Sequence, residues 1–262
     1  MKNISILFLA TITLFSCNKD NIIVKEVNEN IQIVEKSFIP DALYHYENLT
    51  QKTSGYLSVQ SYRTLATKDN PESGSFKVGG IILDNSGDAQ NFGTMTIGNL
   101  SMNANPNYGN TYGLREKIGM DLYGTNVSFS LNSILPTKEM YVPKIINITS
   151  HSQHNNPTIN IDENIEWNTD NNNDLGVIIT ISYYPEENIE LSNQHSEVIY
   201  HAVLTEDNGS YSFTNNDLSL FPPNANLSIK LIRGNYQIET TTDDRELTLW
   251  TYSMMEGIFQ YQ

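Results

Sequence analysis

Cysteine is nearly absent from this chain of 262 residues, which has a single one at position 17. One cysteine forms no disulfide within the chain and adds little to a closed four-ligand zinc site. The Gly-x-Ser-x-Gly motif of serine hydrolases is also missing. These absences leave little support for nucleophilic catalysis.

Basic residues are few as well: 15 Lys and Arg stand against 30 Asp and Glu, giving a net charge of −15. Nucleic acid is not an expected partner, because phosphate binding needs clustered Lys and Arg. The same charge is repelled by anionic lipid headgroups. The acidity is interpreted as a device for solubility, with cation binding as the alternative.

The chain starts with Met1-Lys2-Asn3 and then an apolar run from Ile4 to Phe15. A helix that spans a bilayer needs about 20 apolar residues, so this run is too short for a stable membrane anchor. One lysine followed by a short apolar run is typical of a secretory signal. Residues 1–16 are therefore predicted to be a signal peptide that is absent from the mature protein.

The run ends in Leu14-Phe15-Ser16-Cys17, with an aliphatic residue three positions before the cysteine and a small residue directly before it. This segment resembles the lipobox of bacterial lipoproteins, although Phe15 is bulkier than the usual residue. The resemblance implies cleavage after Ser16 and acyl chains on Cys17, and two or more such chains hold a protein stably on a membrane. The alternative is an ordinary secretory signal with an incidental cysteine.

The composition of the rest of the chain favours strands joined by polar turns, because Ile, Thr and Tyr are frequent and Asn is very common. Residues 17–36 show no sustained pattern and are interpreted as a lipidated tether. Alternating segments such as 56–62 and 127–131 predict a first β-domain over residues 37–140. Pro136 and Pro143 mark the boundary that follows.

Alternation is clearer in the second half, where Val177 to Tyr183 and Val198 to Leu204 each place apolar side chains on one face. About seven short strands in about 120 residues predict an immunoglobulin-like or fibronectin III-like sandwich over residues 141–262, with Trp167 in its core. The predicted fold is thus all-β, with two sandwich-like domains. This layout resembles surface lipoproteins of the Bacteroidota type, which implies an outer-membrane location.

Metal or cofactor binding is not predicted. His151 and His154 lie in a polar loop and are interpreted as solvated side chains. Residues 168–174 carry oxygen ligands at alternate positions, but they lack the glycine and the bidentate glutamate of a calcium loop. A polar hairpin turn is the preferred interpretation.

The preferred functional hypothesis is a non-enzymatic surface lipoprotein with a binding or structural role, whose partner is a glycan or a protein. Trp250 and Tyr252 are the candidate ligand-binding residues. They share one face of the last strand, opposite Leu247 and Leu249, and they either form an exposed stripe or belong to a strand buried on both sides. Tyr108 and Tyr112, in a long loop, are further candidates for partner contact.

The alternative function is a lipid-anchored hydrolase that uses two carboxylates, such as a glycosidase. The candidate carboxylate clusters are Glu186, Glu187 and Glu190, and Asp243 and Asp244.

Overall fold

The computed structural model describes residues 53–66, 73–115, 119–132, 134–151 and 157–262. The predicted signal peptide with Ser16, the predicted lipid-attachment residue Cys17, the predicted tether and the start of the first predicted domain lie outside these residues. Within them the chain is all-β, as predicted, and its regular helices are single turns. None of the helices found in these ranges has the length and apolarity needed to cross a bilayer.

Fourteen strands and four short helical turns make up the described residues. The strands are β1 (Gly55–Thr64), β2 (Gly74–Ile82), β3 (Thr94–Ile97), β4 (Leu100–Asn103), β5 (Tyr112–Arg115), β6 (Thr125–Leu131), β7 (Leu135–Val142), β8 (Thr158–Ile159), β9 (Asn164–Glu166), β10 (Val177–Tyr183), β11 (Ile199–Thr205), β12 (Ser210–Ser212), β13 (Asn226–Thr240) and β14 (Glu246–Tyr261). The α-helix α1 is Asn215–Leu218, and the three 3-10 turns are Pro106–Tyr108, Met120–Leu122 and Pro185–Glu187.

One large sheet runs through the molecule in the order β11-β10-β13-β14-β1-β2-β5. Neighbours in it are antiparallel except β1, which is parallel to β14, and β8 adds a short parallel pairing at the end of β14. The β13–β14 hairpin lies in the middle of this sheet. Its strands have 15 and 16 residues, which corresponds to about 50 Å of extended chain.

The first hydrophobic core lies between one end of the large sheet and a smaller sheet with the order β4-β3-β6-β7. Alternate residues of β1 and β6 point into it, as the period of a strand requires. The core-facing residues with no exposed surface include Leu57, Val59, Met95, Ile97, Phe129, Leu131, Leu247 and Leu249.

The second core lies between β11-β10-β13-β14 and the small β9–β12 sheet, with an isolated bridge between Ile148 and Trp167 beside it. Two facing sheets around one core are the sandwich layout predicted for this half. Trp167 is buried in this core, as predicted, and the core also contains Ile165, Val177, Ile179, Ile181, Tyr183, Phe213, Leu227, Ile229, Leu231 and Phe259.

The two cores meet along the β13–β14 hairpin. The first half of β14 supplies Leu247 and Leu249 to the first core, while its second half supplies Met255 and Phe259 to the second. The expected boundary between residues 140 and 141 falls inside β7, close to where the cores divide. The large sheet nevertheless continues across both halves, because one long hairpin serves each of them.

A buried polar network lies beside this hairpin in the second half of the chain. Arg233 has no exposed surface, and its Nη2 donates to Asp207 Oδ1 at 2.8 Å and to the Asn168 carbonyl at 2.6 Å. Asp207 also accepts from Trp167 Nε1 at 2.9 Å and from Asn173 Nδ2 at 3.0 Å. The network fixes the turn over residues 168–174 against the second core.

Candidate ligand-binding cleft

Trp250 does not form the exposed aromatic stripe that was one of two expectations for β14. Leu247 and Leu249 point into the first core, and Trp250, on the opposite face, is only 2% exposed. Its ring contacts Tyr56, with centroids 6.2 Å apart, and Tyr252, with centroids 4.9 Å apart. β14 is thus buried on both sides here. The sequence left this open, because alternation assigns a side chain to one face of a strand but does not determine what covers that face.

The face of the large sheet turned away from both cores is called the outer face below. Leu57 and Val59 of β1 are core residues, so Tyr56, Ser58 and Gln60 project from the outer face. Two rows of register partners cross the strands there. One row is Tyr252, Gln60, Lys77 and Arg115; the other is Trp250, Ser58, Gly79 and Gly113.

An open cleft, here called the β1–β5 cleft, lies over these rows at the β5 end of the sheet, with a volume of about 620 Å³. Strands β1, β2 and β5 form its floor, and the loop between β4 and β5 forms one rim. The residues that project into it or border it include Tyr56, Ser58, Gln60, Lys77, Gly79, Ile81, Asn103, Asn105, Tyr108, Thr111 and Gly113.

Two glycines leave the floor of the cleft without side chains. A Cβ built on Gly79, which has a φ of +157°, would lie 2.2 Å from the Tyr112 carbonyl oxygen, so packing requires glycine at this position. Gly113 differs, because no described atom lies within 4 Å of a Cβ built there. Glycine inside a strand costs about 0.5–1 kcal/mol relative to alanine. A glycine inside a strand often marks a bulge, a tight bend or a place where a ligand or another backbone segment approaches closely.

Polar groups on the floor are held by their own hydrogen bonds. Gln60 Nε2 donates to Ser58 Oγ at 2.8 Å, and Ser58 Oγ donates to the Gly79 carbonyl at 3.3 Å. Tyr252 Oη donates to Gln60 Oε1 at 3.4 Å. Tyr252, one of the two binding candidates from the sequence, lies next to Gln60 on the outer face and orients the Gln60 amide.

The rim presents an aromatic ring to solvent. Tyr108 is 73% exposed and ends the 3-10 turn Pro106–Tyr108. Asn105 fixes this turn, since its Oδ1 accepts from Asn107 N at 3.0 Å and its carbonyl accepts from Asn110 N at 2.9 Å. The second loop tyrosine, Tyr112, is instead buried in the first core, where its Oη accepts from Phe92 N at 2.8 Å.

Lys77 is the one charged residue among the described residues that line the cleft. Its side chain is exposed, and it has no ion pair with any residue in the described ranges. Carboxylates are missing from the same lining, although the chain carries 30 of them. The cleft is therefore a locally positive place on an acidic protein.

Asp243 and Asp244, one of the two carboxylate clusters proposed from the sequence, line a different cavity with a volume of about 970 Å³. Asp84, Arg245 and Glu246 line the same cavity. The hydrogen bond from Thr241 and the Arg245 guanidinium, at 2.6 Å, lower the pKa of Asp243. Backbone hydrogen bonds from Asp88 and Ser86 lower the pKa of Asp84. A glycosidase needs one carboxylic acid with a raised pKa as proton donor, and neither of these groups has one.

Partial desolvation, followed by the charges of Glu186 and Glu256, raises the pKa of Glu187, an exposed residue in the 3-10 turn Pro185–Glu187. Glu187 borders neither the β1–β5 cleft nor the cavity beside Asp243.

No group of three or more His, Cys, Asp or Glu side chains suited to a metal ion occurs within the described residues. In the turn over residues 168–174, the Asp170 carboxylate already accepts from Tyr141 Oη at 2.8 Å and from Lys144 N at 2.7 Å. The prediction that His151 is solvated is wrong, because its side chain is only 12% exposed and is hydrogen-bonded to Ser150 and to Glu163. His154 lies outside the described residues.

Sequence reasoning identified Tyr108 but missed Ser58, Gln60, Lys77 and Gly113, because their proximity depends on strand pairing. The one sequence signal for these residues was the presence of glycine at positions that lie in strands, Gly79 and Gly113, because a strand glycine can mark a close approach of a ligand or of another backbone segment. No protein-family model matches this chain, and no curated protein matches it.

Proposed function

We propose that this protein is a lipid-anchored lipoprotein of the bacterial cell envelope that binds a glycan through the β1–β5 cleft without acting on it chemically. The lipobox-like segment ending at Cys17 supports the anchor. The cleft supports the binding role. The outer membrane is the favoured location, on the resemblance to Bacteroidota surface lipoproteins.

The observation that carries the proposal is an exposed Tyr108 beside an open, side-chain-free floor at Gly79 and Gly113. A sugar ring has an apolar face, which stacks on an aromatic ring, and a rim of hydroxyl groups, which exchange hydrogen bonds with amides. Asn105 on the rim offers such an amide, and Gln60 on the floor, which is 7% exposed, keeps one amide N–H that Ser58 does not engage. The cleft therefore has both kinds of contact that a saccharide needs.

The size and construction of the cleft agree with a ligand site. Its volume of about 620 Å³ lies within the range of about 300–1,000 Å³ that is usual for small-ligand pockets. Its polar floor groups sit on strands of the large sheet, which hold side chains more precisely than loops do. The site is thus largely formed before a ligand arrives.

The arrangement also fits a protein held at a surface. Acyl chains on Cys17 would carry the whole attachment, since the net charge of −15 opposes binding to anionic lipids. The predicted tether over residues 17–36 would separate the folded part from the membrane. A glycan-binding domain held in this way captures polysaccharide at the cell surface.

The test is retention of the full-length protein on a panel of immobilised polysaccharides, in a detergent without a sugar headgroup. We expect retention on at least one polysaccharide, and at least a tenfold loss of retention in Gly113→Val, which fills the floor. Asn126→Val is the matched control, because it places the same side chain at an exposed position of β6 in the other sheet. Retention of Gly113→Val equal to that of the control, or no retention of the wild type on any polysaccharide, would overturn the proposal.

A further inference from the structure

We infer that the β1–β5 cleft takes an acidic saccharide, with the carboxylate of a uronic acid residue bound by the Lys77 ammonium group. This inference rests on the proposed function and adds the chemical class of the ligand. It follows from the charge distribution in and around the cleft.

First, the Lys77 ammonium group forms no ion pair within the described residues. Most of the other described cations already have a carboxylate partner: Lys138 pairs with Glu239 at 2.6 Å, Lys230 with Glu256 at 3.5 Å, Arg233 with Asp207 at 2.8 Å and Arg245 with Asp243 at 2.6 Å. Lys77 lacks such a partner within the described ranges, and it borders the cleft. Its charge is therefore available to a ligand.

The surroundings of Lys77 are the second step. Lys77 lies directly across from Gln60, an uncharged residue, in the β1–β2 register. The described lining of the cleft contains no carboxylate that would repel an anion. On a chain of net charge −15, the described lining therefore repels an acidic sugar less than an acidic surface would.

The geometry of the floor is the third step. The Gln60 amide is oriented by Ser58 and Tyr252, and it stands beside Lys77 in the row. An ammonium group and an amide N–H side by side match the two oxygens of one carboxylate. Tyr108, on the rim, stacks on the ring that carries this carboxylate, so a sugar acid satisfies all three groups at once.

The test compares binding of polygalacturonate with binding of its fully methyl-esterified form, which has the same backbone without the charge. Full-length protein in a nonionic detergent without a sugar headgroup is used for each titration. We expect the wild type to bind the acid about threefold to fivefold more tightly than the ester, which is the strength of an exposed ion pair. Raising the salt concentration should reduce this preference, because the ion pair is exposed.

Lys77→Gln should remove the preference for the acid and leave binding of the ester unchanged. Lys144→Gln, which neutralises an exposed lysine away from the cleft, is the matched control and should keep the preference. Gly113→Val should weaken binding of both forms. Equal binding of acid and ester by the wild type, or an undiminished preference in Lys77→Gln, would overturn the inference while the cleft stays a glycan site. Binding of either form that Gly113→Val leaves intact would overturn the proposed function as well.

Discussion

Gly79 on β2 and Gly113 on β5 are register partners, and the β1–β5 cleft opens above them. Their reasons for being glycine differ. A side chain at Gly79 would collide with the Tyr112 carbonyl, whereas the described structure leaves space at Gly113. Close packing thus explains why residue 79 is glycine. The glycine at position 113 leaves space at the floor of the cleft.

Tyr108→Ala should weaken glycan binding about fivefold to tenfold, because it removes the exposed ring that stacks on the sugar, a contact of about 1 kcal/mol. The free energy of unfolding should change by less than about 0.5 kcal/mol, since the side chain is on the surface. Titration calorimetry and urea denaturation measure the two quantities. Tyr108→Phe is the control and should retain binding; an unchanged affinity in Tyr108→Ala would remove this residue from the site.

Arg233→Met should lower the free energy of unfolding by about 3–5 kcal/mol, because it leaves the buried Asp207 carboxylate without its cation. Guanidinium denaturation followed by circular dichroism gives the value. Lys138→Met, in a partly exposed pair with Glu239, is the control and should cost less than about 1 kcal/mol. A similar loss in both variants would contradict a structural role for the buried network.

Asp217 should make the free energy of unfolding depend on pH in the acid range. Burial alone would raise the pKa of this carboxyl, but hydrogen bonds from His201, Thr214 and Tyr211 outweigh burial and lower the pKa to about 2. A folded-state pKa below the unfolded value of about 3.9 stabilises the fold above that pH. This contribution, about 1–2 kcal/mol, is lost as the pH falls from about 4 to about 2.

The measurement is the free energy of unfolding against pH for the wild type and for Asp217→Asn. The variant should be less stable at pH 7 and should show a flatter decline between pH 4 and pH 2. Glu190→Gln, which changes an exposed carboxyl, is the control and should follow the wild type. A wild-type slope in Asp217→Asn would show that other carboxyls cause the acid sensitivity.

Cys17→Ser should abolish acylation, since the sulfur is the proposed attachment atom. Radiolabelled palmitate should enter the wild type and not the variant, and the variant should accumulate as unprocessed precursor. The share of the protein found in the membrane fraction should also be smaller for the variant than for the wild type. Normal processing together with membrane retention of Cys17→Ser would reject the lipobox interpretation.

Much of the fold was predictable from local alternation. The odd positions of β10, Val177 to Tyr183, point into the second core as predicted. The apolar set in β11 behaves differently: Val198 and Leu204 are about half exposed, while Ile199 packs against the core and His201 is buried. Alternation gives a period, and which face becomes buried depends on the sheet that packs against it.

The candidate site was much less predictable. The cleft requires β1 to pair with β14, almost 200 positions later in the chain, and β2 to pair with β5 in one particular register. A shift of the register by one residue would turn Gln60 and Lys77 toward the core. Local sequence does not specify such pairings, so of the exposed cleft residues Tyr108, whose exposure follows from its loop, was identified beforehand, together with Tyr252 beside the cleft.

The most direct measurement is hydroxyl-radical footprinting of the full-length protein, read by mass spectrometry, with and without a polysaccharide that it retains. The proposal predicts that bound polysaccharide lowers oxidation of Tyr108 several-fold. It predicts no change at Ile189, which is 78% exposed and far from the cleft in sequence. Unchanged oxidation of Tyr108 in a sample saturated with polysaccharide would contradict glycan binding in the β1–β5 cleft.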